Sequence, residues 1–387
     1  MLRAREEVAS IAEDPILLKD CESLPSNYNF EIAKTVWKIR SSGSKCVALQ
    51  FPEGLLMYAC VISDILVKNT GCDTIILGDV TYGACCVDDY TARALGCDLL
   101  VHYGHSCLVP IQDTQGIQLL YVFVSIDINL THFLTILKAN FKTDQRLALV
   151  STVQFIASLH AVKQELIDAG YGIQVPQCSP LSPGEILGCT SPRIEGADVL
   201  IYLGDGRFHL ESAMMHNPTL PAYQYNPYNR VLSRERFEFK EMIGNRSKAV
   251  AIAEKVEMFG LIQGTYGRQG NLKIFEELEE KLKERGKKYM RILISEIFVH
   301  KLAVFKDIEC FAQVACPRLS IDWGESFKVP LLTPYELASA LKYVEFKKDY
   351  YPMDFYSSDS LGPWTNNHEK FRPKRVRRAP VKIVATN

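Results

Sequence analysis

The sequence contains no apolar run near the roughly 20 residues needed to span a bilayer, so no transmembrane helix is expected. It lacks a secretory leader as well: the opening Met1-Leu2-Arg3-Ala4-Arg5-Glu6-Glu7 is charged and leads into an amphipathic helix. It lacks an excess charge of either sign, since 44 Lys and Arg against 45 Asp and Glu leave a net charge of −1. No global field therefore draws it to nucleic acid or to a membrane surface, and neither is expected as a direct partner. No two cysteines have the C-x₂-C spacing of a zinc ribbon, and there is no Walker A loop and no true dinucleotide fingerprint.

Cysteine itself is plentiful, with twelve in 387 residues. With no leader, these place the chain in a reducing cytoplasm, where cysteines serve as packing residues, catalytic groups or metal ligands rather than disulfides. Cys46, Cys60 and Cys310 stand among apolar residues and read as core filler.

Strand-like runs come in threes. The first set is 46–51, 74–77 and 99–103; the second is 147–152, 173–175 and 199–203; the third is 259–263, 290–294 and 311–314. Helix-length segments such as 55–70, 153–169 and 271–285 lie between them and end in Gly-containing turns around Gly71, Gly170 and Gly286. The charges of the last segment (Glu276, Glu277, Glu279, Glu280, Lys281, Lys283, Glu284) predict a solvated helix face. Strands alternating with helices predict an α/β fold with mostly parallel sheets. A period of roughly 110 residues predicts three similar α/β domains around a pseudo-threefold axis. The expected division is 1–135 with an N-terminal extension, 136–247 and 248–369, then a basic, disordered tail over 370–387.

In parallel sheets ligands bind beyond the carboxyl ends of the strands. Cys85, Cys189 and Cys316 each follow a predicted strand or lie in the next loop, one per third of the chain. Three thiolates from three segments make an incomplete cage for a metal cluster, which leaves one metal open to a ligand. Cys86 stands beside Cys85, which is favoured because it follows Gly83-Ala84. Gly83 and Gly188 allow close backbone approach to a bulky group. The Gly-rich connection Gln263–Asn271 offers backbone N–H groups, the Arg268 guanidinium and the Gln269 amide to a carboxylate or phosphate, and Arg318 is a second such cation. His102 and His105 flank Gly104 and read first as satisfied loop histidines. Asp88 and Asp89 read as helix caps, and Tyr202, Tyr223, Tyr225 and Tyr228 as core or interface aromatics.

Several stretches carry a resemblance. Leu24–Ile32, Gln50–Leu55, Gly78–Asp89 and His102–Cys107, then Gly264–Gly270, Leu293–Phe298, Gln313–Gly324 and Tyr351–Tyr356, resemble the diphthamide biosynthesis enzymes, in order from about Leu24 to His368. The resemblance implies a 4Fe–4S cluster on three cysteines, one per α/β domain, at the positions of Cys85, Cys189 and Cys316. It implies that the unique iron meets S-adenosylmethionine. One-electron reduction then releases a 3-amino-3-carboxypropyl radical, which adds to a histidine of translation elongation factor 2 in the first step of diphthamide synthesis. The C-x₃-C-x₂-C motif of ordinary radical enzymes is absent, as in that family. The resemblance also implies a related second subunit as heterodimer partner and a small iron-binding electron donor. Arg268, Gln269 and Arg318 then become partners for the methionine carboxylate, and no residue stands out as a catalytic base.

Two rival readings have distinct marks. A cluster dehydratase similar to quinolinate synthase shares the architecture but not this motif set. A non-catalytic scaffold subunit would lose at least one of the three cysteines, and here all three are present.

Overall fold

Runs such as Val47-Ala48-Leu49 and Leu99-Leu100-Val101 are fully buried, and continuous apolar strands of this kind belong in the middle of a parallel sheet covered on both faces. The computed structural model describes residues 2–79, 81–109, 114 and 116–371. In chain order its strands are β1 (Tyr28–Asn29), β2 (Cys46–Gln50), β3 (Asp73–Leu77), β4 (Leu99–Tyr103), β5 (Gln118–Val122), β6 (Ser125–Ile126), β7 (Arg146–Ser151) and β8 (Gly172–Gln174). There follow β9 (Val199–Leu203), β10 (Ala222–Asn226), β11 (Val231–Glu235), β12 (Met258–Gly264), β13 (Lys288–Ile294), β14 (Cys310–Val314) and β15 (Leu331–Leu332).

Three sheets repeat one topology. Their orders are β3-β2-β4-β5, β8-β7-β9-β10-β11 and β13-β12-β14-β15. In each, the first strand is flanked by the second on one side and the third on the other, with the fourth outside the third, all parallel. Among the described residues of these three sheets only β11 runs antiparallel, as a hairpin on β10. All nine strands read from the sequence are present, and the internal repeat is a repeat of topology. The fourth strands were not anticipated. β15 has two residues, too few to show a pattern, and β10 interleaves apolar with polar residues (Gln224, Asn226), whereas the apolar run Leu119–Val122 of β5 was legible and went unread.

Parallel strands need crossovers, and helices supply them. Ala59–Thr70 ends at Gly71, whose left-handed φ of 72° lets its N–H reach the Val67 carbonyl. Leu272–Glu284 starts where the Asn271 side chain accepts from the N–H groups of Lys273 and Ile274. Each sheet has its own apolar core on at least one face. Tyr28 packs against both the first and the second, where β1 pairs with β6.

The structure departs from the sequence reading in four places. The segment 55–70 forms two helices, Glu53–Leu56 and Ala59–Thr70. Cys60 is exposed rather than core filler, because Ala59 and Ile62 occupy the inward face of their helix. The charged face of Leu272–Glu284 is partly covered: Glu277, Glu279 and Lys281 are buried, paired with Lys370, with Arg291 and with the Tyr343 ring respectively. The boundary expected at 247 falls inside the helix Phe239–Ala253, which packs Val250 and Ala253 into the third core. The basic tail from Arg372 onward lies outside the described residues.

Candidate metal centre

The carboxyl ends of the three sheets each present a cysteine. After β3, extended backbone at Gly83 leads into a 3₁₀ turn over Ala84–Cys86. Both cysteine carbonyls of that turn are tied down: the Gln50 amide donates to Cys86 O at 2.8 Å, and the Arg268 backbone N–H to Cys85 O at 2.7 Å. The turn of the first unit is thus fastened to the Gly-rich loop of the third. Gly267 makes that contact possible, because a Cβ there would lie 2.7 Å from Cys86 backbone atoms.

Cys189 lies in a tight turn closed by the Leu187–Thr190 pair of backbone hydrogen bonds. Gly188 packs flat on Phe208, and a Cβ would meet that ring at 1.9 Å. Cys316 caps the short helix Pro317–Trp323, and the Gln313 amide donates to its carbonyl at 2.8 Å.

The thiols lie within electrostatic reach of one another. Cys85 is pushed up first by its hydrogen bond with Cys86, then by burial, then by the charges of Cys86, Cys316 and Cys189. Burial and then Cys316 push Cys189 up to about 12, and burial pushes Cys316 up. Cys86 goes the other way, to about 7, chiefly because it accepts the hydrogen bond from Cys85. Among the described residues no three His, Cys, Asp or Glu side chains converge tightly enough for a single ion. A multi-iron cluster asks for less, since each thiolate binds a different iron. The donor set fits such a group: three half-buried thiols resist ionising beside one another, and a cationic cluster removes that penalty. Buried oxygens without a partner stand at the strand ends and in the Cys85 loop, namely Gln263 Oε1, Gln313 Oε1 and Thr81 Oγ1.

The remaining candidate residues sit close by, already engaged. The Arg268 guanidinium forks onto the fully buried Asp89 at 2.8 and 2.5 Å and stacks on the Tyr90 ring. Asp89 is therefore a partner for Arg268, while Asp88 is the helix cap, accepting from Thr91 N–H at 3.0 Å. Gln269 Nε2 lies 3.5 Å from Cys86 Sγ. Arg318 is 3% exposed and donates to Glu211, Asp322 and the carbonyls of Gly188 and Phe208. Both guanidinium groups thus tie units together around the thiols.

Gln50 and His209, to which the sequence reading gave no role, enter beside the two histidines it noted. Gln50 Oε1 faces His102 Nδ1 at 2.8 Å, and His102 Nε2 faces His105 Nδ1 at 3.1 Å. Burial and His209 hold His105 down at about 4, and burial and Arg318 do the same for His209, so both rings are neutral near pH 7. Tyr202 and Tyr225 are core residues, and Tyr228 is exposed. The segment after Tyr351 crosses to the second unit, pairing Asp354 with Thr190 and burying Phe355 and Tyr356 against the cysteine loops. Tyr351–Tyr356 had been noticed only as a motif, and no local pattern signals a chain segment that laces two units.

Comparison with known proteins agrees with this geometry. Residues 51–352 match the family model described as "Putative diphthamide synthesis protein". The chain is 61% identical over 383 residues to 2-(3-amino-3-carboxypropyl)histidine synthase subunit 1 of Caenorhabditis elegans, covering 98% of this chain and 96% of that one. It is 55% identical over 364 residues to the Homo sapiens protein of that name, covering 94% and 83%. The crystal structure of Dph2 from Pyrococcus horikoshii with a 4Fe-4S cluster superposes with a TM-score of 0.70 at 25% identity, over 83% of this chain and 93% of that one.

Proposed function

Because the chain belongs to the diphthamide synthesis family, we propose that it transfers the 3-amino-3-carboxypropyl group of S-adenosylmethionine to a histidine of translation elongation factor 2. In this reading it acts in the cytoplasm, beside a related second subunit and a small iron-binding electron donor. What supports the proposal is that Cys85, Cys189 and Cys316, one from a loop of each unit, are half-buried and within electrostatic reach of one another.

Those three thiolates would hold a 4Fe–4S cluster. When bound and reduced, that cluster supplies the electron that splits the sulfur to γ-carbon bond of S-adenosylmethionine. The protein's own part is to bind, orient and exclude water. Arg268 and Arg318 are each spent on carboxylates, so their part is to brace the loops around the thiols rather than to offer an open fork to the methionine carboxylate. The Gln269 amide is the freer of the polar groups at the Gly-rich loop and is the direct carboxylate donor in this reading. The buried Phe355 and Leu181 keep the space dry, which protects a radical from quenching by solvent.

The test is anaerobic. The chain is reconstituted with iron and sulfide, reduced with dithionite, and given S-adenosylmethionine and elongation factor 2, with and without the second subunit. Gain of the aminocarboxypropyl mass on the factor's histidine, lost in Cys85→Ala, Cys189→Ala or Cys316→Ala, is the expected result. An intact cluster with the partner present and no added mass would instead favour the scaffold or dehydratase reading.

A further inference from the structure

The cysteine pocket has a fourth wall that comes from outside the three cysteine loops. After Tyr351 the chain leaves the third unit and runs along the second. Tyr351 N–H donates to Met215 O at 3.0 Å, and Ser191 N–H to Met353 O at 2.8 Å. The next residues fasten to the Cys189 turn itself: Phe355 N–H donates to Cys189 O at 3.2 Å and Tyr356 N–H to Thr190 Oγ1 at 3.0 Å. The carbonyls on the other side of these residues are held by Asn366 and Asn367, at 2.9 and 2.7 Å. Four hydrogen bonds thus satisfy both backbone donors and both acceptors of the two residues and hold them in place.

These bonds fix the Tyr356 ring, which is 5% exposed and shares an apolar cluster with Cys85 and Cys189. It stands at 90° to Phe355, with centroids 5.2 Å apart, so its tilt is set as well as its place. A phenylalanine would fill the same volume. The hydroxyl is the part that apolar packing leaves unexplained, since a polar group set in such a cluster needs a partner. Its acidity is suppressed by burial first and then by the neighbouring Cys85, Cys189, Cys316 and Cys86, so it stays a donor.

We propose that the Tyr356 hydroxyl donates a hydrogen bond to the sulfur-lined centre of Cys85, Cys189 and Cys316, and thereby sets the reduction potential of the cluster held there. The proposal rests on the cluster reading given above and adds a residue to it. A hydrogen bond to a cluster sulfur stabilises the more negative, reduced state over the oxidised one and raises the potential. Tyr356 is a positioning and tuning residue in this account: it touches the centre and donates to it, while no bond to it forms or breaks.

The experiment is a spectroelectrochemical titration of the anaerobically reconstituted chain with no substrate present, followed by the electron paramagnetic resonance of the reduced form. Tyr356→Phe is expected to take up the cluster as the parent does and to be about tenfold harder to reduce, a shift of about 59 mV to more negative potential for one electron. Tyr103→Phe is the control, because it removes a buried tyrosine hydroxyl from the first core, under Phe51. It should leave the potential unchanged. If Tyr356→Phe fails to fold, a ring-fluorinated tyrosine at 356 keeps the shape and strengthens the donor, and the potential should then move positive. Equal potentials for parent, Tyr356→Phe and the fluorinated form overturn the tuning role while leaving the cluster reading intact. A parent chain that takes up no cluster overturns both.

Discussion

Arg318, from the helix that follows Cys316, donates to the carbonyl oxygen of Gly188 at 3.2 Å, the residue before Cys189. One guanidinium thereby joins the cysteine loops of the second and third units. Its other donors go to Phe208 O, Glu211 and Asp322, so Arg318 has become structural as well as electrostatic.

Arg318→Ala is expected to destabilise the protein by about 2–4 kcal/mol, below the full cost of breaking a buried pair because Glu211 and Asp322 are 21% and 28% exposed. Urea denaturation reads the loss. Arg318→Lys should recover only part of it, since an ammonium cannot reproduce the planar fork. Full stability in the alanine variant would show that the contacts carry little.

Gly188→Ala places a methyl where the Phe208 ring is, and overpacking of that sort costs about 1–3 kcal/mol. The double variant with Phe208→Ala should lose less than the sum of the two single changes. Strict additivity in a thermal-denaturation cycle would contradict the close packing.

Arg246 and Glu336 form a forked pair, 3% and 0% exposed, that joins the helix Phe239–Ala253 to the helix Pro334–Ala340. Glu336 also completes a capping box with Thr333. Glu336→Ala strands a buried cation and removes the side-chain half of the capping box that accepts from Thr333 N–H, and about 3–5 kcal/mol of stability should go with it. A much smaller change in the urea midpoint would mean that water reaches Arg246.

A pH-dependent contribution is expected at Glu279. Hydrogen bonding to Arg291 holds its carboxyl down at about 2, below its ordinary 4.5. A depressed carboxylate stabilises the fold above its unfolded value, and this contribution is lost as pH falls from 4.5 through about 2. Arg291 is 59% exposed, so screening keeps the effect to no more than about 1 kcal/mol. The stability difference between parent and Glu279→Gln should be present at pH 7, shrink as pH falls below 4.5 and be gone below about pH 2; a difference undiminished at pH 2 would refute it.

How legible the molecule was depends on the range of the interaction. Nine strands, the Gly-ended helices and the triple repeat follow from local patterns: apolar runs for buried parallel strands, and glycine where a left-handed cap is needed. The three cysteines could be singled out by residue type and by their positions after strands. Arg268 is the instructive case. Its sequence context reads as a free guanidinium in a Gly-rich loop, and Asp89 reads as a cap. Only the folded chain shows that they pair, 179 residues apart. The same holds for Arg318 with Gly188, for Gln50 with Cys86, and for the segment that carries Tyr356 to the Cys189 turn. The sequence by itself determined the elements, their parallel order and the residue types at the strand ends, because those depend on near neighbours and on burial. Tertiary structure alone decided which charges are spent and which side chains face the thiols. Those outcomes depend on how three sheets meet, and no short-range pattern encodes that.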